Sequence, residues 1–209
     1  MLSPYTYAAN NPIKYIDPDG RDIYIAITEN GFTQSAFNQL QSLTSQPLAL
    51  LSTGQVVDAS TVNPLANNVL SYGHLSNTPV KKEFGTELVG DIIGSDLKVT
   101  IKEGAEEGTG HNKDGLLIYH DTDNPASSVV NADGTKGAKP QSALGHELIH
   151  TKHAINGSDK KNSEKLRVKD PDGNNGSGKL SKEEIRTRKE ENKIRKEQLD
   201  KDRAQPIIL

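Results

Sequence analysis

The run Ala143-Leu144-Gly145-His146-Glu147-Leu148-Ile149-His150 constrains this chain more than any other stretch. His146 and His150 are four apart, so on a helix both imidazoles project from one face, about one turn from each other. That separation lets two neutral ring nitrogens reach one Zn²⁺ at roughly 2.0–2.1 Å. Glu147 lies at the edge of the same face, where its carboxylate can take a proton from a water at the ion. Leu144 and Leu148, also four apart, are free to bury another side. The stretch asks for a helix that is apolar behind and carries His-Glu-His in front. It also asks for another element, because a catalytic zinc takes three protein ligands and keeps one position open.

Composition narrows what the other ligand can be. The chain has no cysteine, which excludes disulfides and thiolate zinc sites and leaves His and carboxylate. At 209 residues it fits one main domain with extensions. Hydrophobic residues make up 33% and aromatics 4%, low against the roughly 45–50% of an ordinary domain with glycine counted. A sizeable part must therefore be loop or solvated helix. The net charge of −3, with bases alternating with acids in the C-terminal third, argues against a nucleic-acid surface. No run of about 18 apolar residues offers a membrane span. Residues 1–20 lack the basic and apolar regions of a signal peptide, so any export would need another carrier.

Residues 22–28 alternate and are β-branched, which predicts a strand. Residues 32–44 carry Phe37, Leu40 and Leu43 at helical spacing, with Thr33 as N-cap. Residues 48–100 signal weakly, with short strands near 54–58 and 97–102. Residues 104–115 read as a Gly-rich loop, 116–119 as a short strand and 121–139 as a second loop. The histidine helix spans 141–154 with Ser142 at its N-cap. Residues 156–180, dense in Lys, Asp, Asn and Gly, read as disordered, and 181–203 as a final polar helix. Asp170 to Gly176 imitates an EF-hand loop, but Asn175 and Ser181 stand where Gly and Glu are needed, so it reads as a turn.

His153 shares a face with His146 but lies about 10 Å along the axis from it, so one straight helix cannot bring three histidines to one ion. The spacing HExxHxxGxxH also fails, with His153 and Asn156 at the Gly and third His positions. A carboxylate from a second helix is the other solution. Glu183-Glu184-Ile185-Arg186-Thr187 opens the final helix, and Glu184 is the candidate ligand.

HELIHTKH and EEIRT together resemble the zinc proteases of clostridial neurotoxins, which carry HELIH and a downstream EELRT whose second Glu binds the metal. They resemble more closely the M91-type effector peptidases, found in bacterial effectors and as RHS C-terminal domains. Those also carry an ENxxR segment, matched here by Glu191-Asn192-Lys193-Ile194-Arg195. The resemblance covers about residues 141–196. It implies an α+β, zincin-like metallopeptidase with a small mixed sheet, an HExxH active-site helix and a C-terminal glutamate-bearing helix. One catalytic Zn²⁺ would sit on His146, His150 and Glu184, with Glu147 as general base and Arg195 at the developing oxyanion. Glu183, Glu191 and His153 would support the ligands. No tyrosine follows Tyr119, which makes it the candidate substrate-binding tyrosine, on a substrate-pairing edge strand at 116–120.

The first 20 residues, MLSPYTYAANNPIKYIDPDG, resemble the end of the core of RHS/YD-repeat proteins, whose pattern runs YxYxxNNPxxxxDPxG. That resemblance implies the end of a carrier shell at 1–20 and a toxin domain at 21–209. Such a domain is secreted or delivered into a target cell to act on a protein there, with a cognate immunity protein as a further partner. Two other readings remain open on HExxH alone. One is an interaction module with structural zinc, which has no use for Glu147. The other is a zinc hydrolase of a non-peptide amide or ester, from which only EEIRT and ENKIR separate it.

Overall fold

In a computed structural model the chain is α+β, a seven-stranded mixed sheet with helices on one face. It describes residues 23–63, 68–74, 80–105, 107–113, 115–123, 126–173 and 177–209. The RHS-like residues 1–20, and the boundary drawn after them, lie outside the described residues. β1 (Ile23–Ile25) is antiparallel to β3 (Gln55–Asp58) and parallel to β5 (Val99–Glu103). β2 (Leu48–Leu51) joins β3 to β4 (Val69–Tyr72) on one side. On the other, β7 (Gly115–His120) runs parallel to β5, and β6 (Gly108–Asn112) closes the sheet antiparallel to β7.

Alternation decides which side of the sheet is covered. Ile23, Ile25, Leu48, Leu50, Val56, Val99, Ile101, Leu116 and Ile118 point to one face and are buried in a single core. Against them lie α1 (Phe32–Leu43), α2 (Glu83–Ile93) and α3 (Pro140–Ile155), which contribute Phe37, Leu40, Leu88, Ile92, Leu144 and Leu148. Each such burial stabilises the fold by roughly 1.5–3 kcal/mol. α5 (Lys182–Glu197) lies outside this layer and packs on α3. The contact is close because Gly145 has no side chain: a Cβ there would sit 2.8 Å from Cγ2 of the fully buried Ile194. Between the two helices run α4 (Ser158–Lys161) and the hairpin of β8 (Lys165–Lys169) and β9 (Ser177–Ser181). The tail returns past α5 and ends as β10 (Ile207–Ile208) on β8.

Several expected elements differ. The loop expected at 104–115 contains β6, because β7 supplies a backbone ladder that Gly-Thr-Gly accepts without any hydrophobic alternation. Where it is described, the stretch 156–180 expected to be disordered forms α4, β8 and β9, whose lysines and arginine face water while Val168 is fully buried. The final helix stops at Glu197 rather than 203. Leu199 takes a left-handed φ of 51°, and Asp200 N–H donates to the Arg195 carbonyl to close the helix end. Neither proposed N-cap holds its helix: Gly31 precedes α1, and Lys139 with Pro140 starts α3. Ser142 Oγ instead donates to Asp200 Oδ2 of the tail at 2.7 Å.

Gly145→Ala is expected to push α5 off α3 and lower stability by about 1–3 kcal/mol. Urea unfolding of the metal-free protein measures it, and an unchanged midpoint would contradict the close packing.

Candidate metal centre

α3 turns His146 and His150 toward α5, and α5 begins beside them. Ser181 caps α5, its Oγ accepting from Glu184 N–H at 2.9 Å, so Glu183 and Glu184 sit in the first turn, where the helix dipole favours negative charge. From there Glu184 Oε2 lies 3.1 Å from His150 Nε2 and 3.7 Å from His146 Nε2, and the two Nε2 atoms are 2.9 Å apart. The rings are held from behind. His146 Nδ1 meets Glu191 Oε2 at 2.9 Å, and His150 Nδ1 meets Glu183 Oε1 at 2.8 Å.

Carboxylates only accept, so a proton on each Nδ1 satisfies Glu191 and Glu183, and in the neutral ring that tautomer leaves the lone pair at Nε2. In that form two imidazole lone pairs and one carboxylate oxygen converge on one point. A cation is what such a donor set accommodates. His146, Glu147 and His150 form one group that could hold a metal ion, and His150, Glu183 and Glu184 another. The short Nε2–Nε2 and Nε2–Oε2 distances make His146, His150 and Glu184 the candidate ligands. Glu147 lies within the same cluster, its ligand atom within 4.8 Å of those of both histidines.

Without a cation, the same point attracts a proton. Burial works against a charge on His150, but hydrogen bonds to Glu183 and Glu184 and the charge of Glu147 overcome it and raise its pKa well above the usual imidazole range. Burial would raise the Glu184 carboxyl, yet its bond to His150 and the charges of His146 and Arg188 hold it low. The Glu191 carboxyl is lowered despite burial by His146, Arg203 and Arg195. The pocket favours positive charge at the point where the three donors meet.

The carboxylates behind the histidines are themselves fixed. Glu183 Oε1 also meets His153 Nδ1 at 2.8 Å and accepts from Thr187 Oγ1 at 3.0 Å. Buried His153 thus braces His150 through Glu183 and offers nothing to the ion. Arg195, expected at an oxyanion, is 0% exposed. Its guanidinium donates to Glu191 Oε1 at 2.6 Å, to Asn131 Oδ1 and to the Lys201 carbonyl. Behind Glu191 it cannot reach a substrate, and it serves to hold that carboxylate.

The front of the site is an open groove of about 410 Å³ between α3, the start of α5, α4 and β6. β7 is an inner strand, so the edge strand expected at 116–120 is instead its neighbour β6. Thr109 pairs with core-facing Ile118 and therefore faces α3, where its Oγ1 donates to Glu147 Oε2 at 2.6 Å. Tyr119 is one residue on from Ile118, points to the opposite face and does not line the groove. His111, in register with Leu116, does line it.

Sequence reasoning missed Thr109, His111, Arg188, Asp172 and Arg203. Thr109 and His111 follow from the alternation of β6 once that strand is known. The others carried no signal, lying in a segment read as disorder or in an exposed helix. The EF-hand look of 170–176 dissolves for the same reason: Asp170 and Asp172 are taken by arginines, Arg188 Nη1 lying 2.7 Å from Asp170 Oδ1. Compared with known proteins, the chain matches no protein-family model, no curated protein and no solved structure.

Glu184→Ala is expected to weaken metal binding at least tenfold, and His153→Ala to weaken it less, because the first removes a donor and the second only a brace. Competition against a chromogenic chelator gives both constants, and the reverse order would mean that Glu184 is not a ligand.

Proposed function

We propose that this chain is a zinc-dependent endopeptidase of zincin-like architecture, carried as an effector domain behind an RHS-type core. The observation that carries the reading is the meeting of His146 Nε2, His150 Nε2 and Glu184 Oε2 beside a carboxylate, Glu147, that is held for another task. Two imidazoles and one carboxylate, with no sulfur, are a donor set suited to zinc. When bound, zinc would acidify a water toward neutrality and polarise the substrate carbonyl.

The chain's own residues account for the remaining work. Glu147 receives the water's proton and passes it to the leaving amine. Thr109 fixes one oxygen of that carboxylate with a 2.6 Å hydrogen bond and leaves the other to hold the proton. Glu183 and Glu191 hold the two Nδ1 atoms and so keep each Nε2 turned toward Glu184. An extended peptide finds a partner in β6, the sheet's free edge, whose Gly108, Thr109 and His111 border the groove. That edge favours a polypeptide over a small amide, which would leave a backbone ladder unused.

The leader Tyr5 to Gly20 supports carriage behind a shell, and EEIRT with ENKIR supports an effector peptidase. Secretion or delivery into a target cell, action on a protein there and a protective immunity protein follow from that reading. No helix among the described residues is long and apolar enough to cross a membrane.

Glu147→Gln is expected to keep wild-type zinc affinity while losing about 10²–10⁴-fold in peptide cleavage. New N-termini across the proteome of cells expressing either form supply the readout, and undiminished cleavage would refute the assignment. Thr109→Val is expected to lower kcat about tenfold with KM unchanged, a loss of about 1.4 kcal/mol, while Thr109→Ser retains activity. Steady-state kinetics on one cleaved peptide separates these outcomes, and equal kcat for Val and Ser would remove Thr109 from the mechanism.

A further inference from the structure

The tail beyond α5 brings an arginine into the back of the site. Arg203 Nη1 donates to Glu191 Oε2 at 2.6 Å, on the oxygen that accepts from His146 Nδ1. Its other edge donates to Asp172 Oδ2, from Nη2 at 2.6 Å and Nε at 3.1 Å. Asp172 Oδ2 is also 3.1 Å from Arg188 Nη1, and Arg188 Nε donates to Glu184 Oε1 at 2.5 Å. The contacts close on themselves: from His146 through Glu191, Arg203, Asp172 and Arg188 to Glu184, whose other oxygen faces both histidines. Arg203, Arg188 and Glu191 are all buried.

We infer that Arg203 is a positioning residue for the metal centre, fixing Glu191 against His146 directly and Glu184 through Asp172 and Arg188. The inference rests on the metal-centre reading and deepens it. One planar guanidinium presents donors on two edges, and here one edge serves each half of the site, which a lysine ammonium cannot match. The backbone does not depend on this side chain for its place. Arg203 N–H donates to Asn192 Oδ1 at 2.7 Å, Asn192 Nδ2 donates to the Arg203 carbonyl, and β10 pairs with β8 beyond it. A substitution at 203 therefore removes the contacts and leaves the tail docked.

The test is zinc affinity of the full chain by chelator competition, with the visible spectrum of the cobalt-loaded protein as a report on ligand geometry. Arg203→Gln is expected to weaken zinc binding about 10–100-fold and to shift the cobalt bands, with Arg203→Lys restoring part of the loss. Lys196→Gln, at an exposed site on α5, serves as control and should match wild type. Wild-type affinity and spectrum in Arg203→Gln would overturn the inference. Should that variant fail to fold, as judged by circular dichroism without metal, Asp172→Asn cuts the same circuit from its other side. Wild-type zinc affinity in Asp172→Asn would then overturn the inference equally. A wild-type chain that binds no zinc would instead refute the metal centre itself, a separate and recognisable result.

Discussion

The close approach of α3 and α5 at Gly145 and Ile194 sets everything else in the site. α3 is held by the core through Leu144, Leu148 and Ile149, so its histidines have a fixed direction. α5 has little apolar surface of its own, with Ile185 and Ile194 its only buried aliphatics among the described residues. Only because α5 lies against a glycine can Glu184 reach the front of both imidazoles while Glu191 backs His146 and Glu183 backs His150. A wider spacing would leave these three carboxylates facing water and two histidines without acceptors.

That contact is held by charge as much as by packing. Glu183, Glu184 and Glu191 are partly or fully buried, and each is met by histidines or arginines within hydrogen-bonding distance. Burying such groups costs several kcal/mol each in lost hydration, and the pairing offsets that cost without clearly exceeding it. The network is therefore poorly explained as a source of stability. It is well explained as a device that fixes which atom of each imidazole faces Glu184.

The two helices, and the histidines and glutamates that meet between them, are legible in the sequence for physical reasons. HExxH with leucines at the same spacing requires a helix with two different faces. Ser181 caps α5 through its Oγ, which leaves the Glu184 side chain to the site. What stayed hidden depends on partners distant in the chain. β6 is a strand because β7 offers a ladder, and nothing in Gly-Thr-Gly announces it. Arg203 and Asp172 are ordinary surface residues in sequence, and only the return of the tail makes them internal. The resemblance places Arg195 at an oxyanion, but Asn131 and the Lys201 carbonyl of the tail cover its guanidinium.

β6 stands at an edge of the sheet beside His146 and His150, so the groove in front of those histidines is bordered by a strand of the kind an extended chain pairs with. The central claim is that His146, His150 and Glu184 form one zinc site, and X-ray absorption at the zinc edge of protein loaded with one equivalent tests it most directly. The account predicts two imidazole nitrogens and a carboxylate oxygen at roughly 2.0–2.2 Å, with the imidazole scattering halved in His150→Ala. A chain that takes up no zinc at micromolar concentration, or an ion carrying one imidazole or none, would contradict it.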